Sequence, residues 1–185
     1  RACDLPLCHT AVTAAYQSID GAFTAIRHDG GVGMLQALGF GFLDKNGNQI
    51  RFGAKGLEDL ESITTEHVLP ELKECTFRVA CDVSNPLCGE QGCSAIYGPQ
   101  KGATSTMILQ MDKWLADYAS LAREQFPHAD AKYPGAGAAG GMGFAFLTFL
   151  TVKNLKRPEH LLYCIRHIGH GIVGVHSLIQ GHHAP

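Results

Sequence analysis

The stretch Val79–Ala103, VACDVSNPLCGEQGCSAIYGPQKGA, sets an acid, an amide and a cation among small residues. Asp82 follows a short apolar run, Phe77-Arg78-Val79-Ala80-Cys81, which reads as a buried strand. Asn85-Pro86 is a turn signal, because Pro86 fixes its own φ and biases Asn85 away from helix. Gly89, Gly92 and Gly98-Pro99 then lead to Lys101 beside Gly102. In open α/β sheets, ligands bind at the carboxyl ends of strands. An Asp there can hold Mg²⁺ or accept a hydroxyl proton, and a Lys can meet a phosphate or carboxylate. The same residues also fit a strand, a capped turn and a solvated Lys. Spacing alone does not separate the two readings.

A second stretch of chemical interest is Pro134–Gly141, PGAGAAGG, which opens an apolar helix over Met142–Leu150. Gly135–Gly140 matches G-x-G-x-x-G in form, but a dinucleotide fingerprint needs a strand immediately before it. Asp130-Ala131-Lys132-Tyr133 is a poor strand, so the dinucleotide reading is set aside. There is no G-K-[ST] ending, so this is not a Walker A loop. Two readings stay open. The glycines let a helix N-terminus hold an anion, or they let a helix pack closely on its neighbours.

These segments together resemble the type 1 glycerate kinase family. That family carries ACDV-x-NPL-x-G, then GPQKGAT, then PGAGAAGG, and DGG-x-GM-x-QALG stands ahead of them here at Asp29–Gly39. The resemblance covers residues 28–150. It implies an α/β domain, a mixed sheet flanked by helices, inserted in the family into a Rossmann-like second domain. It also implies ATP-dependent phosphoryl transfer to a hydroxyl of glycerate, with ATP and Mg²⁺ as cofactors. On that reading Asp82 and Lys101 are catalytic, and Asn85, Gly135, Gly137, Gly140 and Gly141 bind substrate or phosphate. Asp29 and Asp82 are the expected metal ligands, and Asp82 and Lys101 are expected to share one cleft. The alternative from another class is a folded domain without turnover.

The elements that must position these residues follow in chain order. Asp29 is the expected N-cap of a helix through Val32, Leu35 and Leu38, with Gly39 its C-cap. Phe40–Leu43 and Ile50–Phe52 read as strands around the Asn46-Gly47 hairpin turn. Leu57–Ile63 reads as a short helix, and Thr76–Cys81 as the strand before the site. Thr104–Phe126 is the strongest helical pattern. Met107, Ile108, Met111, Leu115, Tyr118 and Leu121 fall at three- and four-residue steps, with Thr104 as N-cap and Trp114 at one margin.

Composition bounds the rest. The 185 residues are 45% hydrophobic and 17% charged, enough apolar surface for a sizeable core. A net charge of −2 without a basic run argues against a nucleic-acid partner. No apolar stretch reaches transmembrane length, so a membrane partner is not expected. The partner is expected to be a small molecule, and a homo-oligomer is left open. Seven cysteines give no disulfide framework, and Cys75, Cys81 and Cys164 lie in apolar segments. Cys75 and Cys81, six residues apart in an apparent strand, stand about 20 Å from each other, too far to bridge. We read the thiols as reduced and the protein as cytoplasmic.

Both ends depart from the family pattern. Residues 1–27 form an atypical segment in which Ala11–Ile26 reads as helix. Where the family has GIGGSATN, this chain has Gly21-Ala22-Phe23-Thr24-Ala25-Ile26-Arg27-His28. Residues 151–185 form a His-rich segment. Cys3, Cys8 and His9 with the tail histidines do not match zinc-site spacing. A Cys81 or Cys88 nucleophile has no local support. The family's APDS-F-K, DGGEG and GEG-x-x-D-x-Q segments do not occur. The chain by itself is therefore expected to phosphorylate glycerate poorly.

Overall fold

The computed structural model describes residues 28–152 except Thr76, Arg78, Ala80 and Asp82. The helix expected over 11–26, the His-rich segment beyond Val152 and Asp82 itself lie outside the described residues.

Chain order gives helix α1 (Val32–Ala37), strand β1 (Gly41–Leu43), a 3₁₀ turn at Ala54–Asp59 and strand β2 (Ser62–Thr64). A second 3₁₀ turn spans Pro70–Lys73, followed by helix α2 (Cys93–Tyr97) and a third 3₁₀ turn at Pro99–Lys101. Helices α3 (Ser105–Gln125) and α4 (Ala138–Phe149) complete the set. The class is α/β, as expected. Among the described residues the sheet is β1 paired antiparallel with β2, Phe42 facing Ile63. Phe77 adds one parallel bridge to Val152, its N–H donating to the Thr151 carbonyl at 2.9 Å. That bridge is the only ladder contact described within the expected Thr76–Cys81 strand. No helix among the described residues is long and apolar enough to cross a membrane.

The returning strand Ile50–Phe52 does not form. Asp44 closes the hairpin turn, its carboxylate accepting from Asn46 and Asn48 N–H groups at 2.8 and 2.9 Å. Pairing then stops at the Leu43–Gln49 bridge. Gln49 takes over with its side chain, accepting from Phe42 N–H at 3.0 Å and donating to the Phe40 carbonyl at 3.1 Å. One side-chain amide thus does what a strand backbone would do, and the chain is free to turn away. The helix expected over Leu57–Ile63 is likewise replaced. Three-residue spacing also suits a 3₁₀ turn, and Leu60 is extended (φ −73°, ψ 119°), which ends the turn and sends Ile63 into β2.

Helix α3 forms where its periodicity places it. Thr104 caps it, accepting from Met107 N–H at 3.3 Å. Met111, Leu115 and Tyr118 are buried on its inner face and Trp114 is half-buried at the margin. Met107 is the exception: it lies in the first turn and is 41% exposed. Against the buried core packs an aromatic cluster around half-buried Phe149, which stacks on Tyr118 and meets Phe40, Phe42 and Phe126 edge-on. This cluster ties β1, α3 and α4 together and leaves the glycine-rich turns on one side of it.

Candidate functional site

Three turns interlock beside α2. In the first, Asp29 closes the entry to α1. Its carboxylate accepts from Gly31 N–H at 3.0 Å and Gly33 N–H at 3.3 Å. Gly31, not Asp29, occupies the N-cap backbone position, so Asp29 caps from two residues upstream. The second turn is Asn85-Pro86-Leu87. The third is the glycine stretch that runs into the first turn of α4, where Ala139, Gly140 and Gly141 all have positive φ and break the helix start.

The third turn packs against the other two through backbone. The Asn85 carbonyl accepts from Gly137 N–H at 2.9 Å and from Gly135 N–H at 3.3 Å. Gly30 N–H donates to the Gly140 carbonyl at 3.1 Å. A Cβ on Gly137 would sit 2.2 Å from the Pro86 carbonyl oxygen, and one on Gly141 would sit 2.6 Å from the Gly30 Cα. Close approach thus accounts for glycine at both positions. These contacts are those of the packing reading of the stretch. The N–H groups of Gly135, Gly137 and Gly141 go to carbonyls of the chain itself, and the positive-φ kink removes a regular helix N-terminus there.

Asn85 is equally engaged. Its Nδ2 donates to the Gln91 carbonyl at 3.0 Å and its Oδ1 accepts from the Tyr97 hydroxyl at 2.8 Å. It therefore pins the loop that leads to α2. Gly89 N–H reaches the Asp112 carboxylate of α3 at 2.8 Å, closing the same loop from its other side.

Lys101 ends the third 3₁₀ turn, stopped by Gly102 at φ 82°. The side chain is exposed, yet loss of water around the ammonium pulls its pKa down. Among the described residues Lys101 has no carboxylate partner; the ion pairs found are Arg51–Asp59 and Lys113–Asp117, both at the surface. The Lys101 charge acts on Cys93 and His28. His28 is wholly buried, and its Nε2 donates to the Cys93 carbonyl at 3.1 Å. Burial, with the Lys101 charge second, lowers the His28 pKa to about 4. Burial pushes the Cys93 thiol up to about 12, and burial with the Asp112 charge pushes Cys88 up. Both thiols are therefore protonated at neutral pH, which disfavours a cysteine nucleophile here. Cys88 and Cys93 are free thiols.

The expected site residues are thus divided. The turns of Asp29, Asn85 and the glycine stretch meet through backbone, and Lys101 ends the 3₁₀ turn that follows α2. Asp82 is outside the described residues, so its pairing with Lys101 is not described. His28 and the buried Ser94 hydroxyl are site features that residue spacing missed. The signal for His28 was there: it stands where the resembled motif has Asn. A groove beside the C-terminal half of α3 offers Glu61, Asp117 and Glu124. Its carboxylates would repel an anion that Lys101 would attract.

Fold and site together define an α/β domain in which interlocked turns stand beside the exposed, partly desolvated Lys101. The profile of the glycerate kinase family matches residues 22–170, past both ends of the motif segment. The chain belongs to the glycerate kinase family. It is 52% identical to the glycerate 2-kinase of Escherichia coli K12 over 124 residues, 66% of this chain and 32% of that protein. It is 35% identical to the glycerate kinase of Bacillus cereus over 173 residues, 94% of this chain and 45% of that protein. The crystal structure of putative glycerate kinase 2 from Salmonella typhimurium LT2 superposes with a TM-score of 0.67 at 46% identity, covering 70% of this chain and 34% of that one. The chain spans about a third to under half of the length of these relatives.

Proposed function

We propose that this chain forms one wall of a glycerate kinase site, where the γ-phosphoryl group of ATP passes to a glycerate hydroxyl. The observation that carries this reading is Lys101. It is exposed, its ammonium is partly desolvated, and it has no carboxylate partner among the described residues. Phosphoryl transfer asks a protein mainly for positioning and for stabilisation of charge on oxygens. Lys101 supplies that charge, to a phosphate oxygen or to the glycerate carboxylate. Asn85 and the glycine stretch hold the loop that carries it, and Asp82 is the proposed partner for the hydroxyl or the metal.

The described residues fit Mg²⁺ only in part. They contain no group of three or more His, Cys, Asp or Glu side chains placed to hold a metal. Mg²⁺ is usually bound by one or two carboxylates together with substrate phosphates and water. Asp29, whose carboxylate accepts from Gly31 and Gly33, is one proposed carboxylate and Asp82 is the other. Mg²⁺ bound there would screen the phosphate charge.

The test is a chimera. Residues 28–150 replace the matching segment of the Escherichia coli glycerate 2-kinase, and phosphoglycerate is measured with Mg-ATP and D-glycerate. The expected result is turnover that Lys101→Met lowers by about 10²–10³-fold. A folded chimera indifferent to Lys101→Met would remove Lys101 from the reaction. The partial length favours one further reading, a folded domain without turnover of its own. ADP release by the 185-residue chain, with and without glycerate, separates the two.

A further inference from the structure

Phe52 is 65% exposed, whereas every other described phenylalanine is buried or half-buried. Its ring lies over the first turn of α1. A Cβ on Gly33 would stand 3.4 Å from Phe52 Cδ1 and 3.2 Å from Asp29 Oδ2, so the ring edge and that carboxylate oxygen flank one point of the backbone. The loop that carries the ring is held on both sides. The Ile50 N–H donates to the Phe42 carbonyl at 2.8 Å, and the Ile50 carbonyl accepts from Gln36 Nε2 of α1 at 3.0 Å. After the ring, Gly53 takes φ 88°, and Gly56 comes so close to Arg51 that a Cβ would meet the Arg51 carbonyl oxygen. None of the ring-on-ring contacts among the described residues includes Phe52. The ring is thus fixed through its backbone, rests on Gly33 and is otherwise open to water.

We propose that Phe52 is the platform on which the purine base of ATP stacks. The inference rests on the proposed phosphoryl transfer from ATP and gives the nucleotide a place for its base. An exposed phenyl ring gains from a ligand only where that ligand covers it with an apolar face. Glycerate carries an oxygen on every carbon and offers no such face. The purine is flat and aromatic, and it stacks on a phenyl ring whatever its hydrogen-bonding edge meets. Asp29, across Gly33 from the ring, then stands toward the sugar-phosphate end of the same molecule, where its proposed role as a Mg²⁺ ligand is used. A ring set on a loop pinned to α1 and to the 3₁₀ turn is already in place before the base arrives, so little ordering cost offsets the stack.

The experiment uses the 185-residue protein with ATP, adenosine and tripolyphosphate as separate probes, each with Mg²⁺. Affinities are compared for the unmodified protein, Phe52→Ala, Phe52→Trp and Lys101→Met. Phe52→Ala is expected to weaken ATP and adenosine about tenfold and to leave tripolyphosphate within about threefold. Phe52→Trp is expected to keep ATP binding, and its added fluorescence to be quenched by adenosine but not by tripolyphosphate; the unmodified protein, whose one tryptophan is Trp114, gives the background. Adenosine and ATP that bind Phe52→Ala as tightly as the unmodified protein overturn the proposal. So does a loss of tripolyphosphate as large as that of ATP, since the ring would then act on the fold or on the phosphates. Should Phe52→Ala not fold, the Trp variant decides: no quench by adenosine overturns it. Tripolyphosphate binding indifferent to Lys101→Met would refute the anion role of Lys101 instead, and the adenosine arm still reports on Phe52.

Discussion

A buried neutral histidine couples this fold to pH. The His28 pKa falls from 6.5 to about 4 in the folded protein, first by burial and then by the Lys101 charge. Above pH 6.5 the ring is neutral folded or unfolded, and its contribution is fully present. Between pH 6.5 and about 4 the unfolded chain takes up a proton that the folded chain refuses, so stability is lost across that window. The loss approaches about 3 kcal/mol once pH is below the folded value. Urea melts from pH 7 to 4 should show this fall, and His28→Asn should flatten it. A fall of equal size in His28→Asn would assign the acid lability to carboxylates. The sequence marked Lys101 as a lone cation in a glycine-bounded loop, a placement that suits a solvated Lys as well as an anion site. His28 was not marked, because its burial and its bond to Cys93 link positions 65 residues apart, a separation no local pattern carries.

At the scale of elements, legibility followed how local the stabilising contacts are. Helix α3 was predicted within a residue at each end, since its cap and apolar stripe lie within its own sequence. The strand after the hairpin was not, because the Gln49 side chain competes for the β1 edge and nothing in residues 50–52 announces that. The glycine stretch was legible as a turn, but its choice between anion binding and packing depended on where Asn85 and Gly30 would lie. Two substitutions separate steric from conformational demand. Gly137 has φ −78°, which any residue adopts, but its Cβ would meet the Pro86 carbonyl at 2.2 Å. Gly137→Ala is therefore expected to cost about 2–4 kcal/mol, because backbone must move. Gly47 has open space around it but φ +79°. Gly47→Ala is expected to cost only about 1–2 kcal/mol, for the left-handed backbone alone. Thermal melts of both measure the difference, and equal costs would mean that the turns yield to a methyl group. Thr104→Ala removes the α3 cap and is expected to cost about 1 kcal/mol.

For the whole molecule the question is what 185 residues can do without the rest of the length their relatives have. In-line phosphoryl transfer needs nucleotide, Mg²⁺ and acceptor held together within reacting distance, and most of the gain comes from that fixed geometry. The described residues provide the partly desolvated ammonium of Lys101, the capping carboxylate of Asp29 and a set of packed turns. The amides of Gly135, Gly137 and Gly141 are taken up by carbonyls of the chain itself. Lys101 also points from an exposed turn, where water weakens its attraction for an oxygen several-fold relative to a closed cleft. The chain alone is therefore expected to bind a small anion weakly and to turn over D-glycerate well below about 1 per second, the slow end of the kinase range. Purified protein with Mg-ATP and D-glycerate, assayed for phosphoglycerate, checks this. Turnover at kinase rates, abolished by Lys101→Met, would mean that residues 1–27, 153–185 or a second copy of the chain complete the cleft. Size measurement in the presence of Mg-ATP would then tell a second copy from the chain's own ends.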